Sequence, residues 1–179
     1  VGGRAYQQDR VVCLSTSDRA CQLLVVADGV GGHRGGEMAA QTVIEVAQRL
    51  FQAQSDQFSP AADFLESFCQ IANHEIRMKA KRARQEAFST VVALLTTKDR
   101  AYWAHIGDSR LYAFKNAELI HQTRDDSLVQ LLFDQGQITA GERAVHPERI
   151  ALRGRRRRRR GHPASGPGAI IGRLLKGLR

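Results

Sequence analysis

Four short segments of this 179-residue chain hold residues able to handle a phosphate or a hard cation. Asp28-Gly29-Val30-Gly31-Gly32-His33 follows an apolar run, Leu23-Leu24-Val25-Val26-Ala27. A carboxylate at the end of a buried strand is held rigidly, and glycines beside it let backbone carbonyls and phosphate groups come close. Carboxylate and carbonyl oxygens suit Mg2+ or Mn2+. The same residues also fit a plain Gly-rich turn with Asp28 as a capping residue. Ile106-Gly107-Asp108-Ser109-Arg110 lies between two β-prone runs, where Gly, Asp and Ser are ordinary turn formers too. Thr123-Arg124-Asp125-Asp126-Ser127 precedes a helical stretch, and either Asp could be its N-cap. Arg4-Ala5-Tyr6-Gln7-Gln8-Asp9 puts an arginine and a carboxylate just before the first apolar run. Arginine suits a bidentate grip on phosphate, although a surface arginine is commonly just solvated.

The elements that must position these residues are legible in the apolar pattern. Val11–Leu14 and Leu23–Ala27 read as two strands joined by a turn, the second apolar on both faces and so buried. Ala39, Val43, Val46, Ala47 and Leu50 recur at helical spacing. A second helix opens at Ser59 or Pro60, its buried stripe marked by Phe64, Leu65, Phe68, Ile71, Ala72 and Ile76. Its far end, Lys79–Arg84, is basic and expected in solvent. Thr90–Thr97 and Ala101–Ile106 are β-prone, with a turn at Lys98–Arg100. Leu111–Phe114 and Glu118–Gln122 flank a turn at Lys115-Asn116. Ser127–Phe133 reads as helix with Gly136 as its cap, and Thr139–Glu142 matches a capping box. Helices grouped between strands that follow one another through tight turns predict an α+β layered domain with largely antiparallel sheets, not a doubly wound parallel one.

Bulk composition narrows the function classes. The formal net charge of +9 belongs to the end of the chain: residues 153–179 carry nine arginines, one lysine and no acid, while the other 152 residues hold 17 basic and 18 acidic side chains. Nucleic acid is therefore not an expected partner, except through the six arginines Arg155–Arg160. No apolar run approaches the roughly 20 residues of a membrane span. Cys13, Cys21 and Cys69 are odd in number and lack C-x-x-C spacing, which argues against a disulfide framework or a zinc site. The expected location is the cytoplasm.

Taken in order, the segments resemble the PPM (type 2C) family of metal-dependent serine/threonine protein phosphatases. Gly3-Arg4 with Gln8-Asp9 is similar to its first motif, and Asp28–His33 to its D-G-x-G-G motif. Phe88-Ser89-Thr90 stands where the family begins a strand with small residues. Gly107–Arg110 matches G-D-S-R, Thr123 with Asp125–Ser127 resembles T-x-D-H-S, and His146–Arg149 resembles H-P-x-R. The resemblance covers residues 2–152 and implies a four-layer α-β-β-α sandwich with two Mn2+ or Mg2+ ions at one end of the sheets. It implies hydrolysis of phosphoserine and phosphothreonine in protein substrates by a water that the metals activate. By position, Asp28 would bridge both metals and the Gly29 carbonyl would bind one. Arg4 would hold the substrate phosphate, Asp9 would act through a metal-bound water, and Asp108 would belong to a third, weaker metal site.

The chain also departs from the family pattern. Some members carry a His after Asp-Gly as general acid, where this chain has Val30; Gln8 replaces a frequent Glu and Asp126 a frequent His. Past H-P-x-R the family continues with further strands and two more metal-binding aspartates, whereas no Asp or Glu follows Glu148 here. The expected organisation is a partial phosphatase domain over 1–152, incomplete at its C-terminus, and a basic low-complexity tail over 153–179. A frameshift in GC-rich DNA would give such an Arg-, Gly-, Pro- and Ala-rich end. The competing account is a functional tail, with polyarginine for anionic partners and residues 169–179 as a cationic amphipathic helix. Two functions follow: a phosphatase impaired by the loss of those aspartates, or a catalytically inactive binding protein with a basic tail. A chain lacking the closing strands is expected to be marginally stable, with Leu94, Ile106 and Leu111 short of packing partners.

Overall fold

Leu23, Val25 and Ala27 alternate with Leu24 and Val26, and this alternation decides how the sheet is covered. The computed structural model describes residues 7–30, 33–54, 58, 60–146 and 175–178. Strand β2 (Gln22–Ala27) lies between β1 (Arg10–Ser15) and β5 (Val91–Thr96), and β6 (Ala101–Ile106) follows in the order β1-β2-β5-β6-β9, all antiparallel. The edge strand β9 (Leu175–Leu178) pairs with β6, so this stretch is extended and not part of an amphipathic helix. Among the described residues, two short pairs complete the strands: β3 (Gly29–Val30) with β4 (Phe88–Ser89), and β7 (Tyr112–Lys115) with β8 (Glu118–Gln122).

One face of the sheet is dry. Leu23, Val25, Ala27, Val91, Ala93, Leu95, Ala104 and Ile106 form one core with α1 (His33–Ala53) and α2 (Ala61–Ala83). Small residues let α1 lie close: Ala39, Ala40 and Ala47 are fully buried beside Val43 and Val46. Helix α2 contributes Phe64, Leu65, Phe68, Ala72 and Ile76 at helical spacing, as its stripe predicts. Burying a side chain the size of Leu65 or Phe68 contributes about 1.5–3 kcal/mol. Ile106 packs here at 7% exposure and lacks nothing, unlike the sequence expectation, because β6 turns Ala104 and Ile106 toward the helices.

The opposite face is apolar but only partly covered. Trp103 is buried there, its ring 4.9 Å from that of His121 on the hairpin β7–β8. Toward β1 the same face is open: Val11 is 72%, Val26 44% and Leu24 37% exposed. The hairpin turns at Asn116-Ala117, both with positive φ, one residue later than the sequence suggests. Helix α3 (Leu128–Asp134) is capped by the Ser127 hydroxyl, which accepts from the Gln130 amide; neither Asp125 nor Asp126 takes that role. Helix α4 (Ala140–Val145) opens with the expected Thr139–Glu142 capping box.

Candidate active site

Ala27 ends the buried run of β2, and the next residue is Asp28. Its backbone is gripped on both sides by the junction of β4 and β5: its amide donates to the Thr90 hydroxyl at 3.1 Å, and its carbonyl accepts from the Thr90 amide at 2.9 Å and the Ser89 hydroxyl at 3.2 Å. Thr90 is fully buried, and its hydroxyl also lies 2.7 Å from that of Ser109. One buried hydroxyl thus ties Asp28 to the turn that carries Asp108, although the two aspartates are 80 residues apart in the chain.

Glycine is required beside Asp28 for a steric reason. A Cβ on Gly29 would lie 2.2 Å from the Gly36 carbonyl oxygen and 3.0 Å from that of Gln8. Gly35 is equally tight against the Glu86 carbonyl, at 2.1 Å. The first turn of α1 can therefore lie on β3 and on the α2–β4 loop, backbone against backbone. The contact with Gln8 brings the segment of Asp9 alongside Gly29. Arg10 fixes that segment to α1: its guanidinium donates to Glu37 (2.8 Å) and Gln41 (3.2 Å) and to the carbonyls of Gln7 and Asp9, both at 3.0 Å. Asp9 itself accepts from the Gln7 side chain at 2.9 Å.

A second network supports the Asp108 turn. Gly107 has φ +98, which glycine adopts at little cost. Its carbonyl accepts from the Asp126 amide at 2.6 Å. Leu111 and Thr123 bind each other twice, and the Arg110 guanidinium pairs with both oxygens of Asp125. That carboxylate holds Arg110 still more firmly in its charged form. The Thr123–Ser127 segment therefore acts here as a buttress. Behind the turn His105 is buried, which lowers its pKa, while Asp126, Asp125 and the carbonyls of Gly107 and Ser109 pull the other way.

The structure thus gathers Asp9, Asp28, Gly29 and Asp108 around one end of the sheet; Arg4 lies outside the described residues, as do Pro147–Arg149 and Arg155–Arg160. Their donors are all oxygens, which fits Mg2+ or Mn2+, and the Gly29 cradle leaves no room for a side chain. Among the described residues, no three His, Cys, Asp or Glu side chains converge as a complete metal site. A hollow of about 210 Å³ lined by Leu50, Gln54, Phe58 and Phe64 is at the other end of α1 and has no part in this chemistry.

Residues 3–130 match the family model described as protein phosphatase 2C. The chain belongs to that family. It is 36% identical over 154 residues to the serine/threonine protein phosphatase PstP of Mycobacterium tuberculosis, covering 83% of this chain and 28% of PstP. The crystal structure of the serine/threonine phosphatase Stp1 from Staphylococcus aureus superposes with a TM-score of 0.75 at 28% identity, over 85% of this chain and 61% of that one. The catalytic domain of PstP in complex with 2 manganese ions matches at 34% identity and a TM-score of 0.63, over 78% of this chain and 58% of that one. The chain thus spans less than a third of PstP and under two thirds of these solved chains. Within the protein phosphatase 2C frame, the motifs contain Thr90 and Ser109 without marking what their hydroxyls do, and Arg10, one arginine among many, lies outside them.

Proposed function

We propose that this chain supplies the Asp28 side of a centre that hydrolyses phosphoserine and phosphothreonine in proteins with Mn2+ or Mg2+. The carrying observation is the Thr90 hydroxyl, which joins the Asp28 strand end to the Asp108 turn. Two unrelated surface turns would need no such buried link. Family membership and the manganese complex of PstP support the reading. Bound metal supplies Lewis-acid charge for water and for the phosphoryl oxygens. Asp28 and the Gly29 carbonyl would hold two ions, Asp9 would act through an intervening water, and Asp108 would serve a third, weaker site. Arg4 would grip the substrate phosphate. Val30 has no proton to give, so the leaving group would take one from solvent. Cys13, Cys21 and Cys69 form no disulfide with one another, which suits a reducing compartment and supports the cytoplasm.

Of the family's direct carboxylate ligands, these 179 residues hold Asp28 alone. We therefore expect weak Mn2+ binding and impaired turnover from this chain. A second reading, a protein that binds without turning over, is favoured by the lack of a complete metal site among the described residues. Phosphate release from a phosphoserine peptide, with and without Mn2+, decides between them. Slow Mn2+-dependent release that disappears in Asp28→Asn supports the first reading. Arg4→Ala should mainly raise KM. Release that is unchanged in Asp28→Asn would refute the site assignment. Calorimetric titration giving a low-micromolar dissociation constant for two Mn2+ ions would refute weak binding.

A further inference from the structure

The last two turns of α2 read Arg77-Met78-Lys79-Ala80-Lys81-Arg82-Ala83-Arg84, five cations and no acid. Lys79 is held by Glu45 at 2.9 Å and by the Thr42 hydroxyl at 3.0 Å. Arg77, Lys81, Arg82 and Arg84 are exposed, and among the described residues none of them enters an ion pair. Cations near a helix C-terminus complement its dipole, but that effect fades within the last turn and does not account for Arg77.

The place of this cluster is specific. The chain leaves α2 at Arg84 and reaches Ser89, five residues on, whose hydroxyl binds the Asp28 carbonyl. Five residues span at most about 18 Å, so the Arg84 end of the cluster borders the candidate active site, with Arg77 about 10 Å further along the helix. Through the Gly35–Glu86 contact they also border the first turn of α1, where Arg34 is exposed. Glu86 is the one carboxylate in the connecting loop.

We propose that Arg77, Lys81, Arg82 and Arg84 form a docking surface for an acidic stretch of the phosphoprotein substrate. The inference rests on the phosphatase reading above. An extended peptide advances about 3.3 Å per residue, so acidic side chains about three to eight positions from the phosphorylated residue reach from the Arg84 end of the cluster to Arg77. The geometry favours a protein partner over the alternatives. Eight helical residues cover about 12 Å, too short for the six to ten phosphate contacts of tight nucleic-acid binding, and the rest of the body carries no net positive charge to extend the patch. A membrane-surface helix needs a free apolar face beside its cations. The apolar face of α2, from Phe64 to Ile76, is buried in the core.

The test is fluorescence anisotropy on the 179-residue chain with three labelled peptides. One carries phosphoserine followed by a glutamate run, one has the same run without phosphate, and one carries phosphoserine followed by glutamines. A variant with Arg77→Gln, Lys81→Gln, Arg82→Gln and Arg84→Gln should bind both acidic peptides about tenfold more weakly, with the difference shrinking as salt rises. Arg77→Gln alone, two turns from the cap and safe for folding, should lose about twofold. Acidic-peptide affinity unchanged in both variants overturns the docking surface. So does tighter binding of a DNA duplex or of phosphatidylserine vesicles through the same residues. The glutamine phosphopeptide reads the phosphate site separately. If it fails to bind while the acidic peptides bind through the cations, the phosphatase reading falls and the proposal with it.

Discussion

Thr90 is the residue on which two segments of the site depend. Its hydroxyl serves the Asp28 amide and the Ser109 hydroxyl from a fully buried position. Thr90→Val keeps the shape and removes both bonds, leaving half-buried polar groups at Asp28 and Ser109 short of a partner, a loss of about 1 kcal/mol for each bond. The midpoint of urea unfolding, followed by the fluorescence of the single Trp103, should fall accordingly; Thr90→Ser should lose much less. His105 provides a pH signature. Burial depresses its folded pKa below the unfolded value of about 6.5. The unfolded chain therefore takes up this proton first. Stability from this group is full above about pH 6.5 and is lost as pH falls from there toward the depressed folded pKa. His105→Gln should flatten urea-unfolding stability between pH 7 and pH 5, and an unchanged slope would assign it to other groups. Legibility at this scale was uneven. Asp28, Gly29 and Asp108 are candidates by type and by their glycine neighbours, although ordinary turns use the same residues and the family resemblance supplies the expected roles. The Thr90–Ser109 bond does not, because its partners meet only after β5 and β6 pair.

At the scale of elements, the long helices and inner strands were legible because their apolar residues recur with the right period. The start of α1 was not. Periodicity begins at Ala39, yet the helix opens at His33, since Gly35 and Gly36 have no side chain to register in any pattern. The N-cap of α3 went to Ser127 because Arg110 draws Asp125 away toward the turn. The hairpin turn was placed one residue early because nothing marks Ala117 for positive φ. Helix α4 buries no residue and is tied to α3 through Arg143, which donates to the Gln130 side chain at 2.9 Å and lies 4.7 Å over the Phe133 ring. Its capping box lowers the Glu142 pKa through the Thr139 amide and hydroxyl. Thr139→Ala removes an interaction that is typically worth about 1 kcal/mol in such caps. Amide exchange should quicken across residues 140–145 while the global melting temperature hardly moves. A large global shift would show that α4 is coupled to the core.

For the whole molecule, coverage of the sheet is the governing fact. One face is sealed by α1 and α2, while Val11, Leu24 and Val26 stand in water on the other. An apolar sheet face of this kind invites association. The 179-residue chain should melt broadly and show concentration-dependent sedimentation, and Leu24→Lys with Val26→Thr should reduce that association. A sharp melt of a monomer above about 60 °C would contradict this, since a domain has only about 5–15 kcal/mol to lose. The antiparallel, layered class was visible from the order of helices and strands. The degree of cover was not, because Leu24 and Val26 read as core residues as readily as Leu23 and Val25.

That last ambiguity has a consequence for how such a gene can change. Leu23, Val25 and Ala27 set the phase of β2, and Asp28 falls out of phase with them. Since both faces of the strand are apolar, swapping one aliphatic for another anywhere in it is mild. Inserting or deleting a single codon between Gln22 and Ala27 is a different event. The core could still be filled by the shifted set, but Asp28 would move along the strand relative to Thr90, and its amide would leave the hydroxyl that holds it. The strand is thus permissive toward point substitutions and intolerant of changes in length. Variant libraries built by substitution and by single-codon deletion over residues 22–28 should divide along that line.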